Sequence, residues 1–390
     1  MAEREQTGLH FSDFALEIPQ ELWRDDARRN ASETRMVVVD ARAGTIHHDR
    51  FVNLGDYLDD SDVLVTNDTG ISCSRLLGRC ASGFPVDICF VLDQGEGRWE
   101  AMIMSDGGPP PEEGSFELAG GISGEILGRV SVVDPHRISE FDAHYWIEKD
   151  RYQGYRGLIR ISATHGELRR ALEGEGKFMY PWYTNLDRLE KGDLYPITTQ
   201  RLGAVLISEP ARRLTPEMLT GMKSRGIDQI SVSLWMSFGW NYWAFKKADM
   251  ALSENRMNFE EYEVTAPVVE QIREAMRDNR RLIAIGTSCA RVLESLPIPP
   301  IAQHSRTDLF LYPGVSLKYC SALVTNLHNS MATHIVMAAT FGGKDLVLGA
   351  CKEAIKRGYG FGIHGDSMLV LSDTKPTATS LDLSPADVRS

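Results

Sequence analysis

The stretch Leu282-Ile-Ala-Ile-Gly-Thr-Ser288 decides the fold, because an apolar run typical of a buried strand breaks at a glycine and passes at once into a helical pattern. That helical segment is Cys289-Ala-Arg-Val-Leu-Glu-Ser295. The first N–H groups of a helix have no partner within the helix, so they point toward whatever lies above the end of the strand. The stretch therefore predicts one strand–helix unit with polar groups exposed at the turn between strand and helix.

Downstream residues repeat the pattern of a short apolar strand that ends in polar groups. The segments are residues 307–314, 322–328 and 365–371. Helical patterns alternate with strands from residue 200 to residue 371, which is typical of a largely parallel sheet. Strands that end in polar groups around a glycine-marked crevice are how such domains build a site. We predict an α/β fold whose core domain is mostly parallel and barrel-like, and which carries the site.

A different pattern interrupts this core. Between residues 74 and 142, short alternating runs such as Val86-Asp-Ile-Cys-Phe-Val-Leu92 are separated by glycine turns, for example Gly120-Gly121. Regularly spaced short strands with such turns indicate an all-β module, and a small barrel is favoured. We predict an inserted β-barrel domain at residues 71–144, with the α/β core formed by residues 1–70 and 145–390.

Composition is that of an ordinary globular protein. The 390 residues suit two domains, and 43% are apolar, but no apolar run approaches the roughly 20 residues that span a bilayer. The start lacks a secretory signal, and the six cysteines show neither metal nor disulfide spacing, so we expect a cytoplasmic protein without a membrane partner. The net charge of −12 argues against gripping phosphate backbones by bulk charge, although a local basic groove could still hold tRNA.

Taken together and in order, the polar segments resemble the S-adenosylmethionine:tRNA ribosyltransferase-isomerases, the enzymes of the queuosine pathway. The resemblance runs from about Phe11 to Leu371 and implies an α/β core with an inserted β-barrel. The residues that carry it are Asn67, Asp68, Thr69, Arg75, Leu76, Gly78, Gly286, Thr287, Ser288, Arg291, Leu293, Glu294, Ser295, Thr307, Asp308, Tyr312, Pro313, Gly314, Thr325, Asn326, His328, Phe341, Gly365, Asp366, Met368 and Leu369.

The family chemistry implies that S-adenosylmethionine gives up its ribosyl carbons rather than its methyl group. The sulfonium acidifies the neighbouring C5′–H, so the site needs a base, a proton donor for the leaving adenine and polar groups near the sulfonium, and no metal. The resemblance points to His328 for proton transfer, since a histidine titrates near pH 6.5, and to Asp68 and Asp366 as further catalytic residues. From the residues alone, a packing histidine, an Asx turn and a turn cap remain open alternatives.

The same resemblance implies that S-adenosylmethionine is bound as a co-substrate at strand exits and at one helix start. For Arg291 the alternative is an i,i+3 pair with Glu294. The expected binding residues are Asn67, Thr69, Gly286, Thr287, Ser288, Arg291, Tyr312, Gly314, Thr325, Asn326 and Gly365.

Departures from the family pattern concentrate at the expected wall for the second substrate. Three positions that hold histidine in the family carry Arg213, Trp235 and Asn258. An aromatic segment, residues 235–245, follows the second of them, and we predict that Arg213, Trp235 and Trp240 contact the substrate. Core packing or an interface patch is the alternative for most of these aromatic rings.

These features predict a divergent, cytoplasmic relative of the family, monomeric or homodimeric. We expect it to break the ribosyl bonds of S-adenosylmethionine, releasing adenine and methionine, and to use a small-molecule acceptor in place of tRNA. The first alternative is the ordinary family reaction on deazaguanine-modified tRNA, which forms epoxyqueuosine. The second is a protein that binds S-adenosylmethionine or a nucleoside without catalysis.

Overall fold

The computed structural model of the chain describes residues 8–24, 30–130, 153–178, 201–204, 209–236, 250–255, 257 and 259–380. Within these ranges the strands are β1 Arg35–Asp40, β2 Thr45–Arg50, β3 Val63–Asn67, β4 Thr69–Ile71, β5 Arg75–Cys80, β6 Pro85–Gly95, β7 Arg98–Ser105, β8 Gly114–Leu118, β9 Ile122–Arg129, β10 Gln153–Ile161, β11 Arg201–Ala204, β12 Asp228–Leu234, β13 Glu260–Val264, β14 Leu282–Ile285, β15 Gln303–Thr307, β16 Cys320–Asn326 and β17 Ser367–Leu371.

Helices of the described ranges flank these strands. The α-helices are α1 His165–Glu175, α2 Glu209–Arg212, α3 Pro216–Ser224, α4 Ala266–Arg277, α5 Thr287–Ser295, α6 Thr333–Gly342 and α7 Lys344–Lys356. Short 3₁₀ turns are Phe11–Phe14, Gln20–Leu22, Phe51–Tyr57, Ala119–Gly121, Leu252–Glu254 and Thr377–Ser380. No helix among the described residues is long and apolar enough to cross a membrane.

Nine strands form one mixed sheet in the order β15-β13-β12-β3-β14-β16-β17-β1-β2. The four strands β12, β3, β14 and β16 are parallel neighbours, whereas β17 runs antiparallel to β16 and parallel to β1. The outer strands pair antiparallel: β15 with β13 and β13 with β12 on one side, and β2 with β1 on the other. The predicted α/β fold with an inserted β-barrel is thus confirmed, and the core sheet is mixed, with its parallel part at the centre.

Both faces of the central sheet are buried, as a parallel sheet requires. Alternate residues of β14 belong to different apolar clusters: Ala284 packs toward α4 and α5, and Ile283 packs with Met218 of α3 on the other face. The chain enters α3 through a cap in which the Met218 amide donates to the Thr215 hydroxyl at 3.2 Å. Covering helices on both faces leave the strand ends as the part of the sheet that can meet a ligand.

The inserted domain is a closed antiparallel barrel in the order β10-β7-β6-β5-β8-β9. Its interior includes Leu76, Ile103 and Tyr155, and α1 packs against it. Gly78, one of the residues shared with the family, has a packing role, because a Cβ there would lie 2.1 Å from the Glu117 carbonyl oxygen. Strand β10 is the sixth strand of the barrel, so the barrel extends beyond the expected boundary at residue 144. The alternation of β10 was missed because we assigned the chain beyond residue 145 to the mixed core.

Candidate active site

Polar side chains gather where the central strands end, an edge that we call the carboxyl edge and define by the ends of β12, β3, β14 and β16. Two groups of residues lie there. The Asp68 cluster consists of Asn67, Asp68, Thr69 and Ser233, and the His328 cluster consists of Arg213, Asn326, His328, His334 and Ser367. Strands β3 and β16 are separated only by β14, so their ends lie roughly 10 Å apart at ordinary strand spacing.

Within the Asp68 cluster, the Asn67 side chain links the end of β3 to the end of β12. Its amide nitrogen donates to the Leu234 carbonyl at 2.9 Å, and its oxygen accepts from the Leu234 amide at 3.0 Å. The Thr69 hydroxyl also donates to that carbonyl, at 2.8 Å. Both side chains are fully buried. These two predicted binding residues therefore hold the strand exit in shape.

Asp68 lies between them and carries the negative charge of the cluster. Its carboxylate accepts a hydrogen bond from the Ser233 hydroxyl at 2.7 Å, and its side chain is 7% exposed. Burial, with a contribution from the Asp68 charge, raises the pKa of Cys289 to about 12. Because Cys289 lies in the first turn of α5, this interaction places the Asp68 carboxylate near the start of that helix.

The β14–α5 turn has the form that the sequence predicts. Gly286 has φ of +102° and precedes the first residue of α5, and its amide donates to the Val324 carbonyl of β16 at 2.8 Å. Thr287 is partly exposed and Ser288 is buried. The first amides of α5 have no intrahelical carbonyl to bind, and the helix dipole favours anions at this point. The turn can therefore receive a carboxylate or a hydroxyl.

In the His328 cluster, Arg213 crosses from the α2 segment to the carboxyl edge. Its guanidinium donates to the Asn326 side-chain oxygen at 2.9 Å and to the Ser367 hydroxyl at 3.0 Å. Asn326 ends β16 and Ser367 begins β17, and the antiparallel register pairs these two residues. The predicted substrate residue Arg213 and the predicted binding residue Asn326 thus meet in one contact.

Glu209 is a buried carboxylate close to Arg213. Glu209 accepts from the Arg212 guanidinium at 2.9 Å, lies 3.8 Å from the Arg213 guanidinium and contacts the His364 ring nitrogen at 3.1 Å. Burial opposes its ionisation, but Arg212, His364 and Arg213 outweigh burial and lower the pKa of Glu209 to about 2. Glu209 is therefore ionised at neutral pH and balances the arginine charge.

His328 follows β16 by two residues and stacks on a second histidine. The ring centroids of His328 and His334 lie 4.0 Å apart with an interplanar angle of 19°. Burial, His334 and Arg213 lower the pKa of His328 well below its usual range. Burial and Arg291 lower the pKa of His334 to about 4. Both rings are consequently neutral at pH 7, the form that accepts a proton.

Two motif residues point away from this arrangement into the framework. The Arg291 guanidinium donates to the Leu309 and Thr307 carbonyls, each at 3.1 Å, and pairs with the buried Glu260. Asp366 is fully buried and accepts from the Arg35 amide at 2.8 Å and the Gly360 amide at 2.7 Å. Neither was distinguishable by motif from a site residue, and in the structure both tie strands to loops.

The remaining predicted residues have mixed surroundings. Thr325 is buried in β16, and Gly365 packs so closely that an added Cβ would lie 2.8 Å from the Gly360 carbonyl oxygen. Tyr312 stacks on Phe310 with centroids 5.6 Å apart, and Gly314 is exposed in the turn after it with φ of +103°.

Of the two tryptophans predicted to contact the substrate, the structure describes only Trp235. Trp235 directly follows β12 and contacts the His304 ring with centroids 5.7 Å apart. Trp240 and Asn258 lie outside the described residues. Their predicted places in the substrate wall have no structural counterpart to compare.

Sequence reasoning missed four residues of the carboxyl edge: Ser233, Glu209, His334 and His364. The available signals were weak. His334 follows His328 by six residues at a helix start, and Glu209 precedes two arginines, a common surface pattern. A separate cavity of about 440 Å³ lies at the opposite, amino-terminal ends of β3 and β12, where Asp228 and Arg280 line it, and it is distant from these polar groups.

Comparison with known proteins decides the family. A family model described as "Queuosine biosynthesis protein" matches residues 11–370. The chain belongs to the queuosine biosynthesis protein family. This confirms the resemblance drawn from the polar segments, and it confirms the prediction of an S-adenosylmethionine-dependent ribosyltransferase-isomerase at the level of the enzyme family.

Relatives in the queuosine biosynthesis family match over their whole length. The S-adenosylmethionine:tRNA ribosyltransferase-isomerase of Halothermothrix orenii is 29% identical over 93% of this chain and 100% of its own. The enzyme of the same name from Aquifex aeolicus is 27% identical with the same coverage. A crystal structure of S-adenosylmethionine tRNA ribosyltransferase from Thermotoga maritima is 24% identical, with a TM-score of 0.48, over 92% of this chain and 100% of that one. The 29% and 27% identities of the two sequence relatives agree with a divergent member.

Proposed function

We propose that this protein transfers and isomerises the ribosyl group of S-adenosylmethionine onto tRNA, the reaction named for its curated relatives. The observation that carries the proposal is the placement of the Asp68 cluster and the His328 cluster at neighbouring ends of one set of parallel strands. A carboxylate, a helix start and a neutral histidine then line a single edge, as the chemistry of a sulfonium substrate requires.

In the proposed arrangement the Asp68 cluster and the start of α5 bind the substrate, and the His328 cluster transfers the proton. Asp68 faces the sulfonium or the ribose hydroxyls, because a buried carboxylate stabilises a positive charge and accepts hydroxyl hydrogen bonds. The start of α5, with Thr287 and Ser288, receives the carboxylate of the methionine part. His328 takes the proton from the ribosyl C5′ carbon and returns it to a leaving group.

Bond changes follow from those roles. Proton removal at C5′ leaves a carbanion beside the sulfonium, and the electron pair supports rearrangement of the ribosyl carbons. Adenine leaves with a proton, methionine leaves with the sulfur electron pair, and the acceptor amine forms the new bond to carbon and loses its own proton. Arg213, held by Asn326 and Ser367, supplies a fixed positive charge beside this exchange.

For the acceptor, the comparisons favour the first alternative given above, the family reaction on tRNA. The relatives are named for tRNA, and each is matched over its full length. The small-molecule acceptor expected from the replaced histidines receives no support from them. One local observation still favours a flat acceptor: the rings of Trp235 and His304 lie against each other at a tilt of 44°, two residues beyond Ser233 at the border of the Asp68 cluster.

The test is an assay of adenine and methionine release from S-adenosylmethionine. The acceptors are tRNA that carries the aminomethyl-deazaguanine base, the same tRNA with guanine, and the free deazaguanine base. Release that depends on modified tRNA supports the proposal, and release with the free base alone moves the function to a small-molecule acceptor. Binding of S-adenosylmethionine without release with any acceptor would overturn catalysis and leave the binding-only alternative.

A further inference from the structure

His334 is a residue that no motif marked and that the proposed chemistry does not yet use. It is the second residue of α6, a helix of ten residues, and its ring lies against the ring of His328 at 4.0 Å. The interplanar angle of 19° makes this a stacked contact, so one face of the His328 ring is covered by an aromatic surface. A covered ring can rotate less than one that is open to solvent.

The arginine charges beside the pair oppose protonation. Arg213 acts on His328, Arg291 acts on His334, and the start of α6 presents a positive helix dipole to both. Each arginine also pairs with a carboxylate, Glu209 for the first at 3.8 Å and Glu260 for the second.

The elements packed against α6 bring few charges. Strands β16 and β17 have none. The turn Phe11–Phe14 brings Asp13, which accepts from the His10 amide, and α7 begins with Lys344 and Asp345, which pair with each other.

We propose that His334 is a positioning residue that holds the His328 ring in one orientation and in its neutral form, ready to accept the proton of the substrate. The inference rests on the proposed function. Two protonated rings at this separation would repel, so the pair carries at most one proton and titrates as a unit. The second imidazole therefore extends the pH range over which His328 remains a base.

Variants at His334 separate orientation from charge. His334→Phe keeps a flat ring against His328 and removes the second titrating group, whereas His334→Ala removes both. We expect His334→Ala to lower kcat on the order of 10-fold to 100-fold, because a displaced base loses its alignment. We expect His334→Phe to recover most of kcat near pH 8. In both variants the acidic limb of the pH–rate profile should move to higher pH, since a neighbour that disfavours protonation is gone.

A matched control is His165→Phe, because His165 is 76% exposed on α1 and pairs with Asp93 of the barrel. Its pH–rate profile should equal that of the unaltered protein. If His334→Phe and His334→Ala also keep the unaltered profile and kcat, the positioning role is overturned. If His334→Ala does not fold, the profile of His334→Phe decides alone.

Failure of the proposed reaction is distinguished by titrating the histidine rings of the full chain by NMR. This measurement needs no turnover. The pKa of His328 should lie below the usual range of a histidine, and its midpoint should rise in His334→Phe. An unchanged midpoint would overturn the inference even in an active enzyme. A raised midpoint in a protein that releases no adenine would keep the coupled pair and refute only the reaction.

Discussion

Two sets of buried or half-buried polar residues, both carried by the same family motifs, behave differently in the fold. Glu294, Arg291 and Asp366 bind main-chain groups: the Glu294 carboxylate alone accepts from the amides of residues 318, 319 and 320, at 2.6, 3.0 and 2.8 Å. At the carboxyl edge, Asp68 and His328 contact other side chains instead, whereas Asn67 and Thr69 beside them bind the Leu234 main chain. Asp68 meets the Ser233 hydroxyl, and His328 meets the His334 ring.

The difference in partners separates residues that hold the backbone in place from residues that can meet a substrate. A carboxylate that is engaged by several backbone amides fixes the path of a loop, and removing it leaves buried donors without acceptors. A group held by side chains can exchange a partner for a substrate at little structural cost. Motif membership alone mixes these two classes, and partner type divides them.

The largest effect should come from His328→Ala. We expect a loss of turnover on the order of 10²–10⁴-fold, because a positioned base is removed, and a melting temperature close to that of the unaltered protein. Adenine release and thermal unfolding, measured on the same preparation, check both parts. A variant that loses stability in proportion to activity would place His328 with the framework residues.

Glu294→Ala should have the opposite signature. The side chain is 3% exposed and three buried amides would lose their acceptor, so we expect the free energy of unfolding to fall by about 3 kcal/mol or more. Urea unfolding measures the loss. Turnover per folded molecule should remain near normal, and a selective loss of turnover would contradict the division proposed above.

Asp68→Asn sharpens the comparison with a smaller change. Asparagine can still accept from the Ser233 hydroxyl, so stability should be nearly unchanged, while the negative charge proposed to face the sulfonium is lost. A charge-assisted contact contributes about 1.5–3 kcal/mol, which corresponds to on the order of 10-fold to 100-fold weaker binding of S-adenosylmethionine. Calorimetric titration measures it. Equal affinity in the two proteins would remove Asp68 from the ligand site.

The smallest effect is a dependence of stability on pH from the histidine pair. His334 has a folded pKa of about 4 against 6.5 when unfolded, so the unfolded chain binds more protons between these values. The free energy of unfolding should therefore fall as the pH drops from 6.5 toward 4. Above pH 6.5 the contribution of His334 should not change with pH. Each ring adds at most about 1.4 kcal/mol per pH unit, and partial exposure of the rings reduces this.

Denaturant unfolding at several pH values measures the slope, and His334→Phe should flatten it. Glu209 acts in a lower window. Its folded pKa of about 2 lies below its ordinary value, so its contribution is complete above pH 4.5 and is lost as the pH falls toward 2. His328 should leave part of the slope in His334→Phe, and a slope that is unchanged between pH 6.5 and 4 would have to come from groups other than His334.

Local patterns predicted the parts of the fold that local physics determines. Residues 282–288 form β14 and the start of α5 because an apolar run must be buried and Gly286 permits a positive φ. The gathering of polar residues at strand ends followed from the parallel order. The sixth barrel strand was missed because its membership depends on pairing with β7 and β9, which no local pattern reports.

Contacts across long sequence separations could not be predicted. Arg213 meets Asn326 and Ser367 only because α2 crosses the sheet edge, and Ser233 meets Asp68 through the register of β12 with β3. A motif places a residue along the chain, whereas its role depends on neighbours contributed from more than 100 residues away.

Strand β17 has a consequence for the order of events during synthesis. It inserts between β16 and β1 and brings Ser367 beside Asn326 and Arg213, so the last strand of the sheet completes a site whose first residues come from β3. A nascent chain that still lacks residues 367–371 in the folded part holds neither the contact between Ser367 and Arg213 nor the parallel partner strand of β1. On the proposed function, the site for ribosyl transfer is therefore complete only after strand β17 has joined the sheet.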